Sequence, residues 1–245
     1  MSAPVKPPQS QSSQEQQQQT DSPVPTDPPF WYNPCGMPFD GSGGGGSGGM
    51  TMETDSAMRR DEADIIDGVL VTASSALMHA EQFAGSFVNE TFKIDIKQLH
   101  ERFKDSILTW VQQTKYMPKE LDVSLDESYL VGLTFKGVLH AVYVGLQNLA
   151  VGLEQVVWDQ NREGLPFLQD FKETTFKLKA ILCEVSMAIY DINETPEQYV
   201  TRDIMPEESR TSDNQRSLRD WLILREYITG LQYVIETFEY LKSKR

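Results

Sequence analysis

Histidines and cysteines are the residues of this sequence most able to do chemistry, and they are few. His79, His100 and His140 fall in three different predicted helices, and none has a His, a Cys or paired carboxylates at metal-ligand spacing. The sequence also has no phosphate-binding loop motif and no nucleophile elbow. We therefore predict that the chain is not an enzyme, has no catalytic residue and binds no metal or cofactor.

The two cysteines suggest a structural role. Cys183 lies on the outer side of a predicted helix, in an apolar stripe roughly 120° or more from the inner face centred on Leu178. The stripe comprises Phe176, Ala180, Cys183, Met187 and Tyr190. Cys35 lies in the clip, the aromatic and proline-rich residues 30–40. We predict a Cys35–Cys183 disulfide that lays the clip along this stripe; the alternative is two unpaired thiols.

Two matches to the N-glycosylation acceptor occur at Asn89 and Asn193, each followed by Glu and Thr. Both fall in predicted breaks between helices, where glycans can be added, although Pro196 directly follows the second. No signal-peptide pattern follows Met1, so either the protein is cytosolic or the sequence begins at a mature terminus. The acceptor matches favour glycosylation at both asparagines and a secreted, extracellular protein.

The charge balance speaks against polyanionic partners. The 245 residues carry a net charge of −14, whereas nucleic acids and anionic membrane surfaces attract clustered Lys and Arg. We therefore expect no nucleic-acid partner and no binding to an anionic membrane.

The most apolar stretch, residues 129–158, is predicted to be a long helix at the centre of the fold. Lys136, His140 and Gln147 form a polar stripe on it, which favours a nearly buried helix of a soluble protein over insertion into a membrane. Glycines weaken this helix and are tolerable if neighbouring elements press closely on it. They are Gly132, Gly137, Gly145 and Gly152.

Composition divides the chain into four parts. Residues 1–29, rich in Gln, Ser and Pro, are predicted to be a disordered leader because they cannot bury enough apolar area. The clip, residues 30–40, follows. Residues 41–49 (GSGGGGSGG) look like an engineered flexible linker that either replaces a removed loop or fuses two pieces. Residues 50–245 are predicted to form a single helical-bundle domain.

Five helices are predicted, because apolar residues recur three and four positions apart and no useful strand alternation appears. They span residues 62–88, 93–114, 127–160, 166–190, and from Ser212 or Asp213, either a good N-cap, to the C-terminus. The link between the third and fourth helices is short, whereas the links before and after them are long. This pattern predicts an all-α fold, an up-up-down-down four-helix bundle with an extra N-terminal helix.

The last predicted helix carries apolar and aromatic side chains away from its inner face. Leu222, Tyr233 and Tyr240 point outward when Leu231 is taken as the inner centre. Tyrosine is a common anchor of protein interfaces. Two alternatives are open: this surface binds a partner, or the first helix packs on it.

Three stretches resemble long-chain helical cytokines of the interleukin-six and ciliary neurotrophic factor type. Residues 99–122 resemble the first helix and its exit, residues 156–189 the hairpin of the second and third helices, and residues 218–242 the last helix. The resemblance covers residues 93–245 and rests on helix lengths, loop lengths and residue character. With its Gln-rich leader, the chain further resembles insect Unpaired-type ligands of JAK/STAT receptors.

The resemblance implies a secreted, monomeric ligand that bridges cell-surface cytokine receptor chains and activates JAK/STAT-type signalling. Family members use the outer faces of the first and third helices for one receptor and the end of the last helix for another. On this chain the corresponding residues are Lys97, Glu101, Lys104, Asp105 and Leu108, then Lys177 and Glu184, then Arg225, Tyr233, Glu236 and Tyr240. Residues 217–220 lack the Phe-x-x-Lys pair of several relatives, which speaks against a third receptor site.

Two other functions stay open. An intracellular helical adaptor would hold a partner helix on exposed aromatic stripes, and it predicts free thiols and no glycan on Asn89. A helical enzyme or carrier would use a cavity near the glycines of the third predicted helix to hold a small apolar ligand.

Overall fold

The computed structural model describes residues 27–36, 59–111, 113–196, 200–211 and 215–245. Every regular element in these ranges is helical, so the all-α class is confirmed. In chain order the α-helices are α1 (Glu62–Phe92), α2 (Ile96–Phe103), α3 (Gln113–Tyr116), α4 (Glu127–Val131), α5 (Phe135–Arg162), α6 (Leu168–Asp191), α7 (Glu207–Thr211) and α8 (Arg216–Ser243). Short 3₁₀ turns lie at Phe30–Tyr32, Thr109–Val111 and Arg202–Ile204. Most of the predicted leader, residues 37–40 of the clip and the predicted linker lie outside the described residues.

Local signals define both ends of α1. The Asp61 carboxylate caps its start by accepting a hydrogen bond from the backbone N–H three residues later. At its end Lys93 is left-handed, with φ 58°, and its N–H donates to the Asn89 carbonyl. Phe92 packs edge-on against Phe87, which holds this last turn against the core. α1 therefore continues past its predicted end at residue 88, and Asn89 lies in its last turn instead of in a break.

The four long helices, α1, α5, α6 and α8, share one core. α1 packs on α6 and α8, and α5 packs on the same two helices. The Lys242 ammonium lies 2.6 Å from the Asp67 carboxylate, so the end of α8 meets the start of α1. Phe83 and Phe87, late in α1, contact Phe171, early in α6, with ring centroids 4.8 and 5.5 Å apart. The first helix is thus a full member of the core and not the addition that the sequence predicts.

The prediction of a continuous helix over residues 93–114 is wrong. α2 ends at Phe103, and an irregular stretch separates it from the 3₁₀ turn that begins at Thr109. The Arg225 guanidinium, on α8, donates to the carbonyls of Phe103 at 2.9 Å and Ser106 at 2.6 Å. Because a charged donor from another helix satisfies these carbonyls, the helix can end here without leaving them unpaired.

The third predicted helix, residues 127–160, is also interrupted. α4 ends at Val131, and α5 begins after Thr134, whose hydroxyl accepts a hydrogen bond from the Gly137 amide at 3.2 Å. The threonine cap therefore starts a new helix within the predicted one. The last helix starts later than predicted, after Gln215, and the predicted caps Ser212 and Asp213 lie outside the described residues.

Two glycines of α5 allow other elements to approach its backbone closely. A Cβ added to Gly145 would lie 2.6 Å from the Met117 side chain, and one added to Gly152 would lie 3.0 Å from Trp110 and Ile223. The predicted close approach is therefore confirmed at these two positions. Among the described helices, none is both long and apolar enough to span a membrane.

The substitution Gly152→Ala is expected to lower the free energy of unfolding by about 1–2 kcal/mol, because the added methyl group presses on Trp110 and Ile223. Gly85→Ala is the matched control. A Cβ there meets nothing within 4 Å, so the better helix propensity of Ala should raise stability by up to about 1 kcal/mol. Urea unfolding followed by circular dichroism should show shifts of opposite sign; shifts of the same sign would contradict tight packing at Gly152.

Candidate protein-binding surface

Three highly exposed apolar side chains lie on the outer surfaces of two neighbouring helices. Val71 and Met78 of α1 are 71% and 69% exposed, and Phe176 of α6 is 67% exposed. Val71 and Met78 are seven residues apart and share one stripe of α1, with Ser75 between them. The Ser75 hydroxyl accepts a hydrogen bond at 3.4 Å from Lys177, the residue after Phe176. We call the outer surfaces of these two packed helices, on which Val71, Met78 and Phe176 are exposed, the α1–α6 face.

Polar contacts fix the register of the two helices that form this face. Arg60, just before α1, pairs with Glu184 of α6. A Cβ added to Gly68 would lie 2.5 Å from the Glu184 carboxylate, so the glycine leaves the space that this ion pair occupies. Further along the helices, His79 Nε2 lies 3.2 Å from the Thr174 hydroxyl oxygen. The exposed apolar side chains thus stand on a rigid support, as a binding surface requires.

The clip covers another part of α6. The structure pairs Cys35 with Cys183, with their Cα atoms 4.8 Å apart and no free cysteine left. The 3₁₀ turn Phe30–Tyr32 contacts α6, and Trp31 at its centre is fully buried. The described part of the clip therefore docks on the helix on which the sequence places it. Phe176, two helical turns before Cys183 in the same stripe, stays exposed.

The residues predicted to bind receptors differ widely in exposure. Those in and just after α2 are exposed: Lys97, Glu101, Lys104 and Asp105. A second group is half-buried: Leu108, Lys177, Glu184, Glu236 and Tyr240. Arg225 and Tyr233 are buried. The structure therefore brings no more than part of this set to the surface, and the α2 residues lie on the long connection between α1 and α5.

Two residues of α8 that were predicted to face outward lie inside. Tyr233 is 1% exposed, and its hydroxyl lies 2.8 Å from that of Tyr129, in the middle of α4. Leu222 is also buried. α1 packs along α8, which agrees with the alternative in which the first helix covers the last one. Residues 119–129 cover a further part of α8. The outward prediction is wrong for Leu222 and Tyr233. For Tyr233 the reason is this second covering segment, which a single-helix projection does not include.

Glu236 is held by the same covering segment. Its carboxylate accepts hydrogen bonds from the Lys119 ammonium and from the Leu125 backbone N–H, both at 2.6 Å. Val123 and Val131, in and next to this segment, are exposed. The connection between α1 and α5 and the second half of α8 thus form a second surface that combines polar contacts with exposed apolar side chains.

Both glycosylation candidates are exposed. Asn89 lies on the surface of the last turn of α1. Asn193 follows α6 in a left-handed turn with φ 61°, a conformation that Asn tolerates better than most residues. Their modification stays a prediction.

A cavity of about 270 Å³ opens between the end of α1, the turn between α5 and α6, and the start of α8. Asp220 lines it, and burial raises the pKa of this carboxyl although the neighbouring Arg219 guanidinium acts in the opposite direction. None of the α5 glycines lines the cavity, and it is smaller than most ligand pockets. Among the described residues no three His, Cys, Asp or Glu side chains come together as a metal site requires.

No family model matches this chain, and the searches of curated proteins and of solved structures gave no match. Phe176 was predicted to lie in an apolar outer stripe, whereas Val71 and Met78 were not predicted to form a surface, because the first helix was predicted to be an addition to the bundle. Their seven-residue spacing, opposite the buried stripe of α1, is the signal that could have found them.

Proposed function

We propose that this chain is a secreted helical cytokine that bridges cell-surface receptor chains and activates JAK/STAT-type signalling as a monomeric ligand. The α1–α6 face carries the proposal. It presents Val71, Met78 and Phe176 on two helices of a rigid core, and exposed apolar residues of this kind are typical of protein-binding surfaces. The proposed activity is binding alone, without catalysis.

We also propose up-up-down-down connectivity, with α1, α5, α6 and α8 as the four helices. Contacts between opposite ends support it. The Arg219 guanidinium, early in α8, lies 2.7 Å from Asp159, late in α5, while Phe135 at the start of α5 packs on Phe238 near the end of α8. The connections at residues 93–134 and 192–215 are long, and the one at residues 163–167 is short. This assignment makes α1 the first helix of the cytokine pattern, in place of residues 99–122.

With α1 as first helix and α6 as third, the α1–α6 face takes the position that the resemblance assigns to one receptor. The surface around Val123 and Val131, beside the second half of α8, takes the position assigned to another. The paired cysteines and the exposed Asn89 and Asn193 support the secreted reading, because the adaptor alternative predicts free thiols.

The test applies the disulfide-bonded protein to insect cells that carry a STAT-responsive reporter. We expect dose-dependent activation by the unaltered chain. The combined variant Val71→Ser, Met78→Ser and Phe176→Ser should reduce potency at least tenfold, since truncating anchors at an interface costs about 1.4 kcal/mol or more. Its melting temperature should stay close to that of the unaltered chain because all three side chains are exposed.

Ile107→Ser is the matched control, because Ile107 is as exposed as Met78 but lies on the connection between α1 and α5. Its potency should equal that of the unaltered chain. A loss confined to Ile107→Ser would move the receptor site to the α2 region. Absence of any reporter response across receptor-bearing lines would count against the cytokine function itself.

A further inference from the structure

The clip does more than cover α6, because Trp31 reaches the connection between α6 and α8. The indole N–H of Trp31 donates a hydrogen bond to the Val200 carbonyl at 2.6 Å. The Val200 N–H in turn donates to the side-chain carbonyl of Gln147, on α5, at 2.9 Å. Both Trp31 and Gln147 are fully buried. The clip, the α6–α8 connection and α5 are therefore linked through one backbone position.

Arg202, a residue of the α6–α8 connection, makes further contacts with both α5 and the clip region. Its guanidinium makes two hydrogen bonds to the Glu154 carboxylate of α5, at 2.5 and 2.8 Å, and a third to the Asp27 carbonyl beside the clip at 2.9 Å. The same guanidinium lies 5.9 Å from the centre of the Trp31 ring, within cation–π range. Residues 200–205 are thus held between the clip on one side and α5 on the other.

Apart from the disulfide, the clip is held by the buried ring of Trp31, by the partly buried rings of Phe30 and Tyr32, and by polar contacts with residues 200–205. Its regular structure is a single 3₁₀ turn, Phe30–Tyr32, too short to be stable alone. Cys35 and Cys183 are both half-buried, so part of the pair is open to solvent. The disulfide therefore lies at the margin of the core, where a dissolved thiolate can approach it.

We infer that the Cys35–Cys183 disulfide is a redox latch for the α6–α8 connection. In the oxidised protein the latch keeps Trp31 under residues 200–205 and holds this segment on α5. Reduction by a small thiol such as glutathione releases the clip, withdraws Trp31 and frees the segment, while the core of α1, α5, α6 and α8 stays folded. This inference does not depend on the proposed function.

The chemistry balances with two thiol molecules per disulfide. The thiolate of the first attacks one sulfur of the pair and forms a mixed disulfide, and the departing cysteine sulfur takes up a proton. A second thiolate attacks the mixed disulfide at the sulfur of the small molecule and releases the other cysteine, which is protonated in turn. Two thiols are oxidised to one disulfide, and Cys35 and Cys183 are both reduced.

Hydrogen exchange of the full chain, in oxidised and reduced glutathione buffers, tests the latch. Exchange in peptides covering residues 200–211, including the Val200 amide, should become at least tenfold faster after reduction. Peptides from the middle of α1 and α8 should change by less than twofold. Unchanged protection at residues 200–211 would overturn the inference. Equal acceleration in α1 and α8 would do so too, because the disulfide would then support the whole fold.

Two variants separate the covalent bond from the indole contact. Cys35→Ser combined with Cys183→Ser should show fast exchange at residues 200–211 in both buffers. Trp31→Ala, with its disulfide intact, should show the same fast exchange in oxidised buffer, since the hydrogen bond to Val200 is lost. Normal protection in oxidised Trp31→Ala would exclude the route through Trp31 and overturn the latch.

Discussion

Replacing Arg219 with Met is expected to lower the free energy of unfolding at neutral pH by about 3–5 kcal/mol, the usual cost of removing one partner of a buried ion pair. The Arg219 guanidinium lies 2.7 Å from the Asp159 carboxylate and 2.6 Å from that of Asp220. Both carboxylates are buried. Met fills much of the same volume without a charge. The decrease in unfolding free energy therefore comes mainly from two buried carboxylates that have lost their shared cation.

The decrease in unfolding free energy caused by Arg219→Met should depend on pH in a defined direction. Burial raises the pKa of Asp220, so the folded protein binds a proton at this site more readily than the unfolded chain does. The contribution of Asp220 to stability is therefore fully present below the ordinary carboxyl pKa and is lost as pH rises through the raised value. Without Arg219 the pKa of Asp220 loses the neighbour that lowers it and rises further, so the destabilisation should be smaller at pH 5 than at pH 7.

Urea unfolding of the unaltered protein and of Arg219→Met at pH 5 and pH 7 measures this pH dependence. Asp220→Asn supplies the control. The amide keeps the shape of the side chain and removes one of two negative charges that share one guanidinium. Arg219→Met should therefore cost less in the Asp220→Asn background than alone. Equal losses at both pH values and in both backgrounds would show that Arg219 stabilises the fold through packing and not through charge.

Local signals made part of this fold predictable. The hairpin of α5 and α6 follows from a short link whose Gly164 has φ 63°, a left-handed conformation that glycine adopts without strain. The inner stripe of α6 was equally predictable, since Leu178 and Leu182 are four residues apart in the sequence. Both are fully buried. The apolar outer stripe around Cys183 predicted the docking of the clip. The first two signals are each contained within one helix or one turn, and the third also needs the pairing of Cys183 with Cys35.

Long-range contacts explain what the sequence did not predict. Nothing near residues 93–114 indicates that Arg225, far along the chain, will bond to the carbonyls of Phe103 and Ser106 and interrupt the helix. The same contact buries Arg225, which a helical projection places toward the outside. The α1–α6 face was not predicted for a related reason. The neighbours of α1 are decided by the packing of the whole bundle, so the sequence alone does not show that α1 lies beside α6.

Phe171→Ala is expected to lower the free energy of unfolding by about 3–5 kcal/mol, because it removes a fully buried ring from the core. Phe171 meets Phe83 edge-on with centroids 4.8 Å apart and also contacts Phe87. The cavity left behind would lie between α1 and α6, where two helix backbones limit collapse. Guanidinium unfolding followed by circular dichroism measures the change.

Phe176→Ala is the matched control, since it makes the same chemical change on the same helix. Phe176 is exposed, so its loss should change stability by no more than about 0.5 kcal/mol. The difference in unfolding free energy between the two variants therefore measures the effect of burial. If Phe176→Ala is stable, any loss of receptor potency in that variant can be assigned to a missing contact. If Phe176→Ala proved as destabilising as Phe171→Ala, part of this chain would already cover Phe176, and the α1–α6 face could not bind a receptor through it.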